Sequence, residues 1–377
     1  MAFMISRGIV KTGLGRRIAF HFIKWFGKKS IGLGYSIDLI TSPATPSNGA
    51  RAGGIVYPLI QSLANTFDSH PNDVSRKKMG AYLTFTEFRV NVITSSMFMT
   101  ACAPNLIAVA LAKQAGVNLT WMGWLEASIV PALICILVVP YFVYKMYPPQ
   151  VKETPNAKEW ANTQLNEMGK MTNPEKAMSA IFILTLVLWM LSSTLGINAT
   201  LVSFISMCLL LLCGILTPKD MLNETGAWNI LIWLSILVFM TGKLTQFGFI
   251  AWLSHSIEHG MSGMTWLMTL VILALILFYT NYLFASATAH NSAMYLPLLS
   301  VAISAGAPKV LAAQFLALFS AIMGSTTHYS SPASSVLAAS GYVTQKEWWK
   351  MGFVFGLFYI LVYGIVGLAW MKLIGMW

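Results

Sequence analysis

Charge is what this sequence has least of. Only 10% of its 377 residues are Asp, Glu, Lys or Arg, where soluble domains carry about 25%. With 56% hydrophobic residues and a mean hydropathy of +0.66, that shortage excludes a soluble globular domain. Acids are the scarcer sign, 13 against 24 basic residues. A net charge of +11 in a soluble chain would point to nucleic acid. Here it is explained by cytoplasmic loops, where Lys and Arg concentrate in membrane proteins, and no nucleic-acid partner is expected. Cysteine is also scarce. Cys102, Cys135, Cys208 and Cys213 lie in apolar segments without C-x-x-C spacing, so they read as small buried hydrophobes, not as a disulfide framework or zinc ligands.

What the chain does hold is long apolar runs: Trp121–Met146, Ala180–Leu195, Ala199–Leu216, Trp228–Leu253, Trp266–Phe284 and Met351–Trp377. Several reach the roughly 20 residues a spanning helix needs. The fold class is an all-α polytopic membrane protein, with the lipid bilayer as its surroundings. One long polar run of mixed charge divides it, giving a first half at 1–144, a cytoplasmic linker at 145–177 and a second half at 178–377.

The halves repeat one another. In SNGARAGGIVYPL, Ser47 precedes Pro58 by eleven residues, and in SATAHNSAMYLPL, Ser286 precedes Pro297 by the same eleven. Ala50 then matches Ala289, Arg51 matches His290, and Leu59 matches Leu298. In the same order, KTGLG (11–15) falls opposite QFGFI (246–250), APNL (103–106) opposite SPAS (331–334), and TWMGW (120–124) opposite TQKEW (344–348). Residues 1–30 hold seven Lys or Arg and no acid, whereas their counterpart near 236–264 holds only Lys243 and Glu258. By the positive-inside rule the two face opposite sides, which is the signature of an inverted-repeat transporter. The repeat also places Met1 opposite residue 236, inside an apolar run, so the first half is expected to be N-terminally incomplete.

The polar tips near 47–49 and 286–288 lie within apolar surroundings. Irregular backbone at membrane depth is tolerated only where protein or a water-filled cavity surrounds it, and the flanks are too short for two full spans. Each tip therefore reads as a re-entrant hairpin. Pro43, Pro46 and Gly49 stop the first arm, and Ser47 or Asn48 can cap the next helix. Two such helix N-termini meeting near the midplane suit an anion. Desolvating an ion costs several kcal/mol. A helix N-terminus returns about 0.3–2 kcal/mol and a hydrogen bond to a charge about 1.5–3 kcal/mol. Two tips with Ser47, Asn48, Ser286 and Thr288 thus balance about one carboxylate, and a second needs a cation. Sodium at those four residues is one solution. Arg51 and His290, each one turn past its tip serine, are the other; the alternatives are that Arg51 snorkels and His290 is a satisfied core histidine. The next polar breaks, Thr94–Asn105 and Gly324–Ser335, read as broken helices facing the tips, with Thr100, Asn105, Thr327 and Pro332 as candidate binding residues. Helix packing through small residues is the competing reading.

No enzyme chemistry is expected. HSIEH (255–259) fits a zinc spacing without an obvious third ligand, GLGRRI (13–18) follows no strand, and no nucleophile constellation is present. No organic cofactor is implied.

These residues resemble the divalent-anion/sodium symporter family, marked by a Ser-Asn-Thr triplet at each of two hairpin tips. Here the triplets read Ser47-Asn48-Gly49 and Ser286-Ala287-Thr288. The chain is most similar to the branch of citrate/succinate and tartrate/succinate antiporters and plastid 2-oxoglutarate/malate translocators, through KTGLGRRIA, PATPSN, HPND, APNL, FASATA, THY and SGYV. The resemblance implies an elevator mechanism, a di- or tricarboxylate held by the tips, and a homodimer. It also implies a bacterial inner membrane, with the plastid inner envelope as the alternative. Exchange is the expected activity, with sodium symport and a non-transporting truncated remnant as the alternatives. Each triplet lacks one member, which bears most on sodium ligation.

Overall fold

The computed structural model describes residues 2–26, 38, 42–44, 47–248, 252 and 263–377. Within these the chain is helical throughout, with short 3-10 and π turns and no strand. Three helical stretches are long and apolar enough to cross a membrane, Trp121–Met146, Trp266–Leu283 and Gln345–Leu373, with shorter apolar helices at Ala199–Leu212 and Lys309–Ser325. At about 1.5 Å per residue, the 26 residues of Trp121–Met146 cover about 39 Å, enough for the roughly 30 Å hydrocarbon core.

The repeated sequence segments fold alike where both copies are described. Thr120 and Thr344 each sit in extended backbone and cap their long helix, accepting from Gly123 N at 3.1 Å and Glu347 N at 3.4 Å. Glu347 returns a bond to Thr344 N and closes a capping box, which supplies two otherwise orphaned donors with partners. Gly13 and Gly248, opposite one another in the repeat, have φ of +78° and +76°. They follow the helices Ala2–Thr12 and Thr225–Gln246, where only a residue without Cβ takes this left-handed turn cheaply.

The polar linker is anchored. Its helix Pro155–Met168 packs on Leu14–Phe26, with the Phe20 and Trp160 rings edge to face at 5.4 Å. Arg17 grips Glu175 through Nε at 2.7 Å and Nη2 at 3.2 Å, and donates Nη1 to Gly169 O at 2.9 Å. Burial alone would raise the Glu175 carboxyl, but its bonds from Arg17 and Thr172 outweigh that and hold it below its ordinary value.

A second polar clamp ties the halves together. Arg76 donates to both oxygens of Glu347 (Nη1 to Oε2 2.9 Å, Nη2 to Oε1 3.1 Å), to Tyr147 Oη at 2.9 Å and to Tyr342 O at 2.9 Å. Tyr147 Oη donates to Glu347 at 2.8 Å, and burial with that carboxylate pushes the phenol up to about 12. Most of residues 27–46, which precede the first tip, and the HSIEH stretch lie outside the described residues.

Arg76→Met leaves Glu347 with only Tyr147 and its own helix cap. Bonds to a charged group contribute about 1.5–3 kcal/mol, so the variant is expected to unfold in detergent at a midpoint several degrees below the parent, measured by intrinsic tryptophan fluorescence.

Candidate functional site

Ser47 (φ −115°, ψ 98°) and Ser286 (φ −153°, ψ 119°) hold the same place in the two halves. Each leaves extended backbone to enter a helix, and each side chain accepts from the amide three residues on, Ala50 N at 3.1 Å and Ala289 N at 3.4 Å. From Ser47 the helix runs through Asn48–Arg51, a π turn at Ala52–Val56 and on to Thr66. Pro58 has no N–H to give the carbonyl one turn back, and the widened turn before it accommodates that loss. From Ser286 the helix is Ala287–Ser304, with Pro297 inside it. It packs against the helix Trp266–Thr280 that precedes it.

Both polar stretches beyond the tips are breaks between helices: Gly80–Met97 gives way to Ala103–Gln114, and Lys309–Ile322 to Pro332–Ala338. Asn105 sutures the first break, donating Nδ2 to Ser95 O at 2.7 Å and Phe98 O at 3.0 Å. Ser331 and Ser334 close a capping box at the second. The tips reach across to these breaks. Ala287 N donates to Ser330 O at 3.1 Å, and Asn291 Nδ2 to Pro104 O at 2.7 Å. A Cβ on Gly49 would stand 2.5 Å from Pro332 Cβ. Glycine at the third triplet position is what lets the first tip lie on the second break.

One enclosed cavity sits where these four elements meet. Asn48 lines it from the first tip, Ala287 from the second, Ser95, Cys102 and Pro104 from the first break, and Ser320, Gly324, Ser331 and Pro332 from the second. Its volume of about 20 Å³ holds about one water. It is too small for a dicarboxylate.

Among the expected binding residues, Asn48 and Pro332 reach this cavity, and Ser47 and Ser286 cap the helices that point at it. Thr288 is partly exposed at the second position of the second tip helix. Thr100 is spent on structure: its hydroxyl donates to Pro43 O and accepts Trp121 Nε1 at 3.1 Å. Asn105 Oδ1 and Thr327 Oγ1 are buried without a hydrogen-bond partner, so each has acceptor capacity left.

The expectation that Arg51 stands as uncompensated positive charge is corrected. Arg51 is fully buried and pairs through Nε with Asp38 Oδ1 at 2.5 Å. Its Nη1 donates to Ala101 O at 3.2 Å, and Nη2 to Ser95 Oγ at 3.0 Å and Thr94 Oγ1 at 3.3 Å. A guanidinium in a dry interior demands a counter-charge, and Asp38 supplies it. Arg51 therefore locks the first tip to the first break instead of snorkelling. His290 is also fully buried. Its Nε2 bonds Thr280 Oγ1 at 2.8 Å, its ring stands edge-on to Phe284 at 4.7 Å, and Nδ1 has no partner. Neither side chain lines the cavity.

Three ionisable residues were missed: Asp38, Glu87 and Arg89. The last two stand in TFTEFRVNV (84–92), where an acid and a base inside an apolar helix were the visible signal. Arg89 is fully buried, donates Nη1 to Ser325 O at 2.6 Å, and lies over the Phe88 and Phe355 rings at 4.9 and 5.4 Å. Its Nε and Nη2 have no hydrogen-bond partner. Among the described residues no three His, Cys, Asp or Glu side chains group as metal ligands.

Two substitutions check this geometry. Asp38→Asn strands the Arg51 charge and is expected to cost about 3–5 kcal/mol, seen as a large drop in thermal midpoint or as failure to accumulate in the membrane. Gly49→Thr restores the family triplet but overpacks against Pro332, at about 1–3 kcal/mol. It is expected to insert normally while substrate uptake falls.

All 377 residues match the family described as the sodium:sulfate symporter transmembrane region. The chain is 46% identical to the putative malate transporter YflS of Bacillus subtilis, over 100% of this chain and 80% of that protein. It is 40% identical to the chloroplastic dicarboxylate transporter 1 of Spinacia oleracea (100% and 67%) and 34% identical to the L-tartrate/succinate antiporter of Escherichia coli (99% and 77%). This chain, an integral membrane protein built of apolar helices, belongs to the sodium:sulfate symporter family.

Proposed function

We propose that this protein exchanges dicarboxylates of the succinate and malate class across a bacterial inner membrane. 2-Oxoglutarate, tartrate and the tricarboxylate citrate are further candidates. The observation that carries the reading is the convergence of two serine-capped helix N-termini with two broken helices on one enclosed cavity. Helix N-termini favour anions, and the relatives named for malate, dicarboxylates and tartrate/succinate support the same class.

In this reading both tips belong to re-entrant hairpins. The hairpins and broken helices move as a body against the remaining helices, in a homodimer. Ser47, Asn48, Ser286 and Thr288 meet one carboxylate, and Asn105, Thr327 and Pro332 shape the other end of the site. Arg51 positions the first tip, and His290 positions the second. The choice of exchange over sodium symport rests on Arg51. Its guanidinium already occupies Ser95 Oγ, Thr94 Oγ1 and Ala101 O, oxygens of the kind a sodium ion would take. A fixed cation replaces a mobile one, so no sodium gradient is needed to fill that place.

Proteoliposomes containing the protein should take up labelled succinate when preloaded with unlabelled succinate or malate, and take up little when empty. Replacing sodium by choline should leave the rate unchanged. Sodium-driven uptake into empty vesicles would overturn the exchange reading.

A further inference from the structure

Glu87 lies two turns into the helix Gly80–Met97, 6% exposed, and its Oε1 accepts no hydrogen bond. Asn91, Thr94 and Ser95 follow it at one and two turns along the same helix face. Those residues grip the Asp38–Arg51 pair. Asn91 Nδ2 donates to Asp38 Oδ1 at 3.3 Å, Thr94 Oγ1 donates to Asp38 Oδ2, and Ser95 Oγ accepts from Arg51. Among the described residues, the charged groups that act on Glu87 are Asp38 and Arg51. Arg89, two residues along, projects from the opposite side of the helix toward Ser325 and Phe355.

Glu87 therefore shares a helix face with the side chains that hold one carboxylate and one guanidinium. Arg51 is already at ion-pair distance from Asp38. A second ionised carboxylate without a donor leaves a net buried negative charge, which costs several kcal/mol in a dry interior. One bound proton removes that charge.

We propose that Glu87 carries one exchangeable proton, and that its binding is linked to dicarboxylate binding in the cavity. The proton comes from bulk water through the residual exposure of Glu87 and returns to it, with no other bond made or broken. Ser95, which lines the cavity, stands eight residues along the helix from Glu87, or about 12 Å at 1.5 Å per residue. At that separation one negative charge opposes one substrate carboxylate by about ten-fold in affinity at an effective dielectric of about 20. Linkage is reciprocal: a bound dianion draws the proton in, and loss of the proton weakens the dianion's hold. The sign follows. Affinity is highest with the proton bound at low pH and falls as pH rises and Glu87 loses it.

The inference rests on the dicarboxylate reading, and the test separates the two. The KM for succinate is measured in succinate-loaded proteoliposomes between about pH 6.5 and about pH 8.5, a range in which the substrate stays a dianion. The parent is expected to show a KM that rises with pH, by at most about ten-fold, while Glu87→Gln keeps a low, pH-independent KM. A parent KM that does not change with pH, or a Glu87→Gln profile identical to the parent's, overturns the linkage while leaving exchange intact. Absence of succinate exchange in the parent at every pH overturns the dicarboxylate reading itself. Should the variant fail to insert, adding malate to the purified parent in weak buffer with a pH dye decides. Proton uptake supports the linkage, and none overturns it.

Discussion

Buried ion pairs and the hydrogen bonds around them fix how the parts of this molecule sit against one another. The Asp38–Arg51 pair is the clearest case. Arg51 stands one turn past the first tip, and its partners come from the chain ahead of that tip, from the helix before the first break and from the break itself. A side chain that must be neutralised from so many directions fixes the relative positions of all of them. The apolar packing around it is large but permissive, since one hydrocarbon surface slides over another at little cost. The polar bonds choose the register. The same holds where Arg76 draws Tyr147, Tyr342 and Glu347 together from three parts of the chain.

Backbone satisfaction is the companion constraint. Each helix break leaves amides and carbonyls unpaired inside a low-dielectric region, and each break is closed by short polar side chains. Asn105 takes two carbonyls at the first, and Ser330 and Ser331 serve the second. The tips add cross-bonds to those breaks. The polar residues that looked like a ligand-binding roster are thus in part the hydrogen-bond supply of the protein itself. Thr100, bonded to Pro43 and Trp121, shows how a hydroxyl in a broken helix can be wholly consumed by the fold.

Much of the architecture was legible because it is written in local rules. Ser47 and Ser286 read as caps from their position before a helical run, and Thr120 and Thr344 from theirs. The left-handed glycines at 13 and 248 fall where the aligned halves place them. Asn48 and Pro332, named from the first tip and the second polar break, line the cavity between those elements. What stayed hidden is non-local. Nothing in the spacing of Arg51 tells that Asp38, thirteen residues earlier and across the tip, cancels its charge. Gly49 read as a lost threonine, whereas the approach of Pro332, hundreds of residues away in the chain, makes the missing side chain a requirement. Glu87 and Arg89 are legible as ionisable residues in an apolar helix, but their partners come from distant parts of the chain.

The two tips are fastened by unlike bonds. The first is held to its neighbours by an ion pair and a charged fork, the second by an amide-to-carbonyl bond from Ala287 and a neutral carboxamide on Asn291. Parting the first tip from its break strips acceptors from a buried guanidinium that stays paired with Asp38, and parting the second breaks only neutral dipoles. The two contacts therefore resist separation unequally.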